Sequence, residues 1–163
     1  MLDLLGSYPR RVMTAFMVVV LCGCKAHASN DSLLDAVWEM DLARVRKLVE
    51  AGADIEVVDR KRQTPIIIAA KTDQFRMAEY LIGQGADIWS ASNFGWTLGY
   101  AAQTSRLEYG PEAEARERVL DILKAHGYPF PAPAPAEVTA MLAANQWPPA
   151  RRVSPPAGLR RDP

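Results

Sequence analysis

Cysteine and histidine are scarce, two of each in 163 residues, and their scarcity removes most of the chemistry a small protein can carry. Neither His27 nor His126 has a nucleophile or a second ligand at a recognisable spacing, and no G-x-S-x-G turn, phosphate-cradling glycine loop, H-E-x-x-H or cysteine cluster occurs. No metal, no cofactor and no enzymatic activity are therefore expected. Charge of one sign is also missing: 19 basic residues balance 19 acidic ones, which excludes a nucleic-acid surface built on bulk charge. No long apolar run occurs either. The uncharged stretch Val12 to Leu21 has ten residues where a membrane-spanning helix needs roughly 20.

That short run follows Arg10 and Arg11, the order of a secretory leader that is removed. It ends in Leu21-Cys22-Gly23-Cys24, which resembles a bacterial lipoprotein box. The resemblance implies a leader over 1–23, lipidation of Cys24 and a tether over 24–30. An ordinary leader, or two buried cysteines in an unprocessed chain, remain the alternatives. Loss of Cys22 and acylation of Cys24 would leave no thiol for a disulfide in an oxidising compartment. Lys25 after the cysteine fits, by the family's sorting pattern, an anchor in the outer membrane facing the periplasm.

What the sequence has in quantity is repetition. Ala36, Leu48, Gly52, Ala53, Asp54 and Ile55 recur 33 residues later as Ala69, Leu81, Gly85, Ala86, Asp87 and Ile88. Thr64 is placed to cap a helix and Pro65 to occupy its first position, where no hydrogen bond is lost. Ala69 and Ala70 let that helix approach a second, Gln74 to Gln84, with Met77, Ala78, Leu81 and Ile82 on one face. Gly85 ends it in the left-handed conformation. The period, Thr64-Pro65-Ile66 and Ala69 resemble the ankyrin repeat, with Ile67 in place of the signature histidine. The resemblance implies an all-α solenoid of helix pairs and extended fingers, over 31–63, 64–96 and 97–128.

In the first unit Asp31 is the expected cap, with helices Ser32 to Met40 and Leu42 to Ala51 and a charged finger, Glu56 to Arg62. Its Arg60-Lys61-Arg62 is either a solvated turn or a contact for an acidic partner. The second finger carries Trp89, Phe94 and Trp96. These either form an interface or pack on the finger before them, and Trp89 is the one expected to stand free. The third unit is out of register, because Gly127 follows Gly85 by 42 residues. The extra residues predict a projecting loop, Arg106 to Gly110, and a lengthened helix, Pro111 to Ala125, braced by Glu112–Arg116 and Glu114–Arg118 four apart. This elaboration serves either binding or end-capping. A proline-rich connector and a helix over Ala136 to Asn145, with Val138, Met141 and Leu142 inward and Trp147 after it, should cover the last layer within 129–149. The segment 150–163 is an expected disordered tail.

Ankyrin scaffolds bind proteins through their fingertips and first helices. Carried over by position, the partner-binding residues are Trp38, Glu39, Lys71, Thr72, Thr104 and Ser105 on helices. Arg60, Lys61, Trp89, Phe94 and Trp96 lie on fingers, and Arg106 and Tyr109 on the inserted loop. FGWTLGYAAQTSRLEYG and RVLDILKAHGYPFPAP further make the chain similar to the immunity lipoproteins paired with phospholipase effectors of type VI secretion. That similarity implies a monomer, bound to the membrane by its lipid, that neutralises a lipase toxin. A periplasmic scaffold for a resident enzyme and a host-directed effector are the other readings.

Overall fold

A computed structural model describes residues 30–149. The leader, Cys24, most of the tether, His27 and the tail lie outside these residues. Seven helices follow one another: α1 (Asn30–Trp38), α2 (Leu42–Glu50), α3 (Pro65–Lys71), α4 (Phe75–Gly83), α5 (Leu98–Thr104), α6 (Pro111–Ala125) and α7 (Pro135–Ala143). They pack as three antiparallel pairs, α1 with α2, α3 with α4 and α5 with α6, with α3 between α1 and α5 and α6 against α4.

The repeat fixes the spacing of the layers. Ala36, Ala69 and Ala102 succeed one another at the repeat period on α1, α3 and α5 and are all buried. A larger side chain there would push the first helices apart. The middle helix has neighbours on every side, and so Ile66, Ile67 and Ile68 are all fully buried, an apolar circumference that suits only an interior helix. Each such side chain contributes about 1.5–3 kcal/mol by leaving water. Ile67 does the inner-layer work of the histidine it replaces.

Six of the seven helices stop in the same way. Past the C-terminus of α1, Met40 N–H bonds to Val37 O and Asp41 N–H to Ala36 O, with Met40 at φ 59°. The same pair of bonds closes α2 at Gly52, α3 at Asp73, α4 at Gly85, α6 at Gly127 and α7 at Asn145, each at positive φ. Only glycine takes this conformation without steric cost, so at Met40, Asp73 and Asn145 it is held by the two backbone bonds that close each helix.

The starts differ more, and here the structure corrects the sequence. Helix α1 begins at Asn30, so Asp31 lies inside it and is not its cap. Thr64 precedes α3 but bonds no amide there, and its hydroxyl is buried without a partner; Thr97, one period later, does accept from Tyr100 N–H at 3.3 Å. Asp41 caps α2 through Arg44 N–H at 2.9 Å. Its counterpart Gln74 makes no such bond, and Glu112 from α6 supplies the missing acceptor to Arg76 N–H at 2.8 Å. Glu112 is thereby taken from Arg116, whose guanidinium binds Glu117 Oε1 and Ser105 O instead. Arg118 likewise leaves Glu114 for Glu79 on α4, in a two-pronged bond of 2.7 and 2.9 Å that holds the Glu79 carboxyl below its usual range. The lengthened helix is braced across the layer, not along its own surface.

Candidate protein-binding surface

The fingers are set by their aspartates. Asp54 Oδ1 accepts from Glu56 N–H at 2.9 Å and Asp87 Oδ1 from Trp89 N–H at 3.0 Å, the same turn one period apart. The two fingers are then joined: Glu56 Oε1 accepts from Asp87 N–H at 2.7 Å, and Lys61 O from Asn93 N–H at 3.0 Å. Loss of solvent around the Glu56 carboxyl, together with the Asp87 and Asp54 charges, raises its pKa against the lowering effect of those hydrogen bonds. The second finger folds back on itself through Ser92 N–H to Trp96 O and an isolated bridge between Ala91 and Thr97.

This framework brings five of the positions carried over from the sequence into one place. Lys71, Trp96, Thr104, Ser105 and Arg106, with Asp73, line a groove of about 310 Å³ floored by Ala70 and Ala101 between the ends of α3 and α5. The Lys71 ammonium lies 5.0 Å above the Trp96 ring, and Trp96 stands edge-on to Tyr100 at 5.4 Å. Trp96 thus packs against Lys71 of α3 and Tyr100 of α5. With the amide of buried Gln63 oriented to donate to Asp59 Oδ2 at 3.1 Å, its oxygen meets Lys71 Nζ at 2.5 Å. Partial loss of solvent and the nearby Lys61 charge lower the Lys71 pKa, with Asp59 opposing.

Outside the groove lining, Trp38, Phe94 and Tyr109 are exposed by 49%, 60% and 85%, an uncommon amount of free aromatic surface for a chain this small. Arg60 and Lys61 are exposed on the first finger. Other positions are already committed to the fold. Glu39 is paired with Arg44. The Thr72 hydroxyl donates to Ile68 O and accepts from Gln74 Nε2 at 2.6 Å, while that amide also reaches Val37 O of the first layer. Thr104 Oγ1 donates to Tyr100 O at 2.8 Å, and Ser105 is fixed by Arg116.

Trp89 is the clearest correction. It is not free. Its ring stacks on Tyr128 at 4.7 Å and meets Trp147 edge-on at 6.1 Å, while Trp147 Nε1 donates to Trp89 O at 2.8 Å. The segment 128–149, through Tyr128 and Trp147, therefore covers the finger aromatic that the repeat pattern leaves outside. Gly99 makes this possible: it stands one period after Ile66, and a Cβ on it would lie 2.3 Å from the Tyr128 ring. Burial pushes the Tyr128 phenol up to about 12, its neighbours Thr97 and the Gly99 backbone acting the other way. Of the three residues expected to face inward on α7, only Val138 is fully buried, and Leu142 is 39% exposed. The sequence signal for this aromatic cover was the glycine in place of a core isoleucine, but which ring filled the space was not readable from spacing.

Among the described residues no group of three or more His, Cys, Asp or Glu is placed to hold a metal, and no helix is long and apolar enough to cross a membrane.

Comparison with known proteins agrees with the geometry. A family model described as ankyrin repeats matches three copies over residues 33–109. A curated relative, palmitoyltransferase AKR1 of Saccharomyces cerevisiae, is 28% identical over 107 residues, which are 66% of this chain but 14% of that protein. The chain thus spans a small part of the relative it matches. Ankyrin repeats are protein-interaction modules, typically without catalysis of their own. A model of three ankyrin repeats thus covers residues 33–109, and with α6 completing the third pair the chain folds as an all-α ankyrin solenoid with an elaborated last layer.

Proposed function

We propose that this ankyrin protein acts by binding, held through Cys24 on the periplasmic side of the envelope, and that its partner is a secreted antibacterial toxin of the phospholipase class which it neutralises. The observation that supports a binding role is the convergence of Lys71, Trp96 and Arg106 on one groove, in a chain that also leaves Trp38 and Phe94 exposed. Aromatic and arginine side chains carry most of the energy at protein interfaces, and a rigid scaffold presents them at little entropic cost. The leader and the likeness to immunity lipoproteins support the envelope location and the toxin. An inhibitor concentrated at a membrane meets a lipid-degrading enzyme where that enzyme acts, and covering the mouth of its active site is sufficient for inhibition.

The test is capture by the full chain, tagged at its C-terminus, from cells that produce it, followed by a phospholipid-hydrolysis assay of the retained protein. Retention of a lipid hydrolase whose activity falls on adding the chain supports the proposal. Retention of a resident periplasmic enzyme, unaffected in activity, replaces immunity with the scaffold reading.

A further inference from the structure

The cations of this molecule are divided by face. Among the described residues the ion pairs are Arg44–Glu39, Arg116–Glu117, Arg118–Glu79 and Lys124–Asp121. None involves Lys61, Lys71 or Arg106, which lie on the first finger and around the groove. Asp73 shares the groove with Lys71 and Arg106 but is paired with neither among these ion pairs, and Asp59, beside Lys61 in sequence, is turned inward. Its Oδ1 accepts from Lys61 N–H and Gln63 N–H, both at 2.8 Å, and Oδ2 meets the Gln63 amide. The Lys71 ammonium stands over the Trp96 ring, partial loss of solvent and the Lys61 charge lower its pKa, and none of these ion pairs takes either ammonium. Arg106 adds a third positive group on the opposite wall of the groove. The floor is apolar, with Ala70 1% and Ala101 5% exposed, and Trp96 forms one side.

We infer that the groove between α3 and α5 is a carboxylate subsite, which takes an Asp or Glu side chain from an acidic, partly apolar segment of the partner protein, between Lys71 and Arg106. The inference rests on the protein-binding role proposed above for this groove. A carboxylate fits for three reasons. Arg106 offers two parallel N–H donors and Lys71 a third, so a carboxylate between them makes charge-assisted bonds on both sides. The apolar floor and Trp96 accommodate the side chain's methylenes and an aliphatic neighbour. A polyphosphate chain or lipid surface fits less well, because Asp73 lies in the groove wall and Glu39 beside Trp38, so the positive potential is confined to one pocket and does not form a continuous stripe.

The experiment is a heteronuclear NMR titration of the full chain with the peptide acetyl-Leu-Glu-Glu-Leu-amide, against acetyl-Leu-Gln-Gln-Leu-amide. The expected result is saturable shifts at the Trp96 indole and at the amides of Lys71 and Arg106 with the Glu peptide alone. Lys71→Ala with Arg106→Ala should weaken binding at least tenfold, and Lys124→Ala should leave it unchanged. Should Lys71→Ala disturb the fold through its link to Gln63, Arg106→Glu alone, on a loop, tests the same claim and should abolish the shifts. Equal response to both peptides, or shifts spread over Lys124 as well, overturns the assignment. So does saturation of the same residues by phosphatidylglycerol vesicles or by an oligothymidine at lower concentration than by the peptide. The two proposals fail separately: if the double variant still captures the partner as the unaltered chain does, the subsite is wrong and the binding role stands. If the unaltered chain captures nothing but binds the peptide, the reverse holds.

Discussion

Trp147 Nε1 donates to the carbonyl oxygen of Trp89 at 2.8 Å across 58 residues of chain, and this bond fastens the C-terminal segment to the second finger. Trp147→Ala removes the bond and a half-buried ring that meets both Trp89 and Tyr128. A loss of about 2–3 kcal/mol is expected, toward the low end for aromatic truncation because the ring is not fully enclosed. Trp147→Phe keeps most of the packing and should cost about 1 kcal/mol for the bond. Urea midpoints of the two variants test the difference.

The finger position one period apart gives opposite signs for one kind of substitution. Arg62 and Gly95 correspond, at φ 55° and 72°. Arg62→Gly relieves left-handed strain and should be neutral or stabilising by up to about 1 kcal/mol. Gly95→Ala introduces that strain and also places its Cβ 1.9 Å from Pro135 O, so the finger and α7 must separate, at a cost above about 2 kcal/mol. Equilibrium unfolding of both checks the contrast.

Glu112 caps α4 from another helix. Glu112→Ala should lower stability by about 1 kcal/mol, the cost of losing a capping acceptor. Amide exchange supplies a sharper readout, since protection should fall first at Arg76 and its neighbours at the start of α4, not in α6 where the substitution lies.

Glu56 links stability to pH. Its folded pKa is raised, so the protonated form is favoured by folding, and the stability associated with that proton is full below the unfolded value and lost as pH rises through the folded one. Glu56→Gln keeps an acceptor for Asp87 N–H without the charge. It should be more stable than the unaltered chain at neutral pH, with the advantage shrinking as pH falls through the Glu56 pKa. Thermal midpoints measured across pH 4 to 8, a window that opens near the usual carboxylate value of about 4.3 and runs past neutral, follow this directly.

Aromatic substitutions separate surface from support. Phe94→Ala should leave the unfolding midpoint nearly unchanged and weaken partner capture about tenfold or more, as loss of an exposed anchor does. Trp89→Ala should instead lower stability, because its ring carries the stack with Tyr128. Anchoring is read separately: Cys24→Ser should move the full chain from the detergent phase to the aqueous one.

The helices and their order were legible in the sequence because they rest on local rules. Recurrence of Ala36 at Ala69, of Gly52 at Gly85 and of Asp54 at Asp87 encodes a close approach, a helix stop and a finger turn, each decided within a few residues of chain. The inserted helix was legible for the same reason, from Pro111 and the acids that follow it. Those acids' partners were not. By spacing Glu112 could pair with Arg116 and Glu114 with Arg118 along α6, but α4 lies alongside, where an uncapped amide takes Glu112 and the Glu79 carboxylate takes Arg118. The groove belongs to the same class: Lys71, Trp96 and Arg106 share no local pattern and meet only because layers stack. Trp89 shows the limit most plainly. A finger aromatic is open by the repeat pattern alone, and it was covered here because Gly99 leaves room for Tyr128 and a segment more than fifty residues downstream returns to bond it. Local conformational preference travels in the sequence; which side chains remain exposed is settled only when distant segments compete for the same apolar surface.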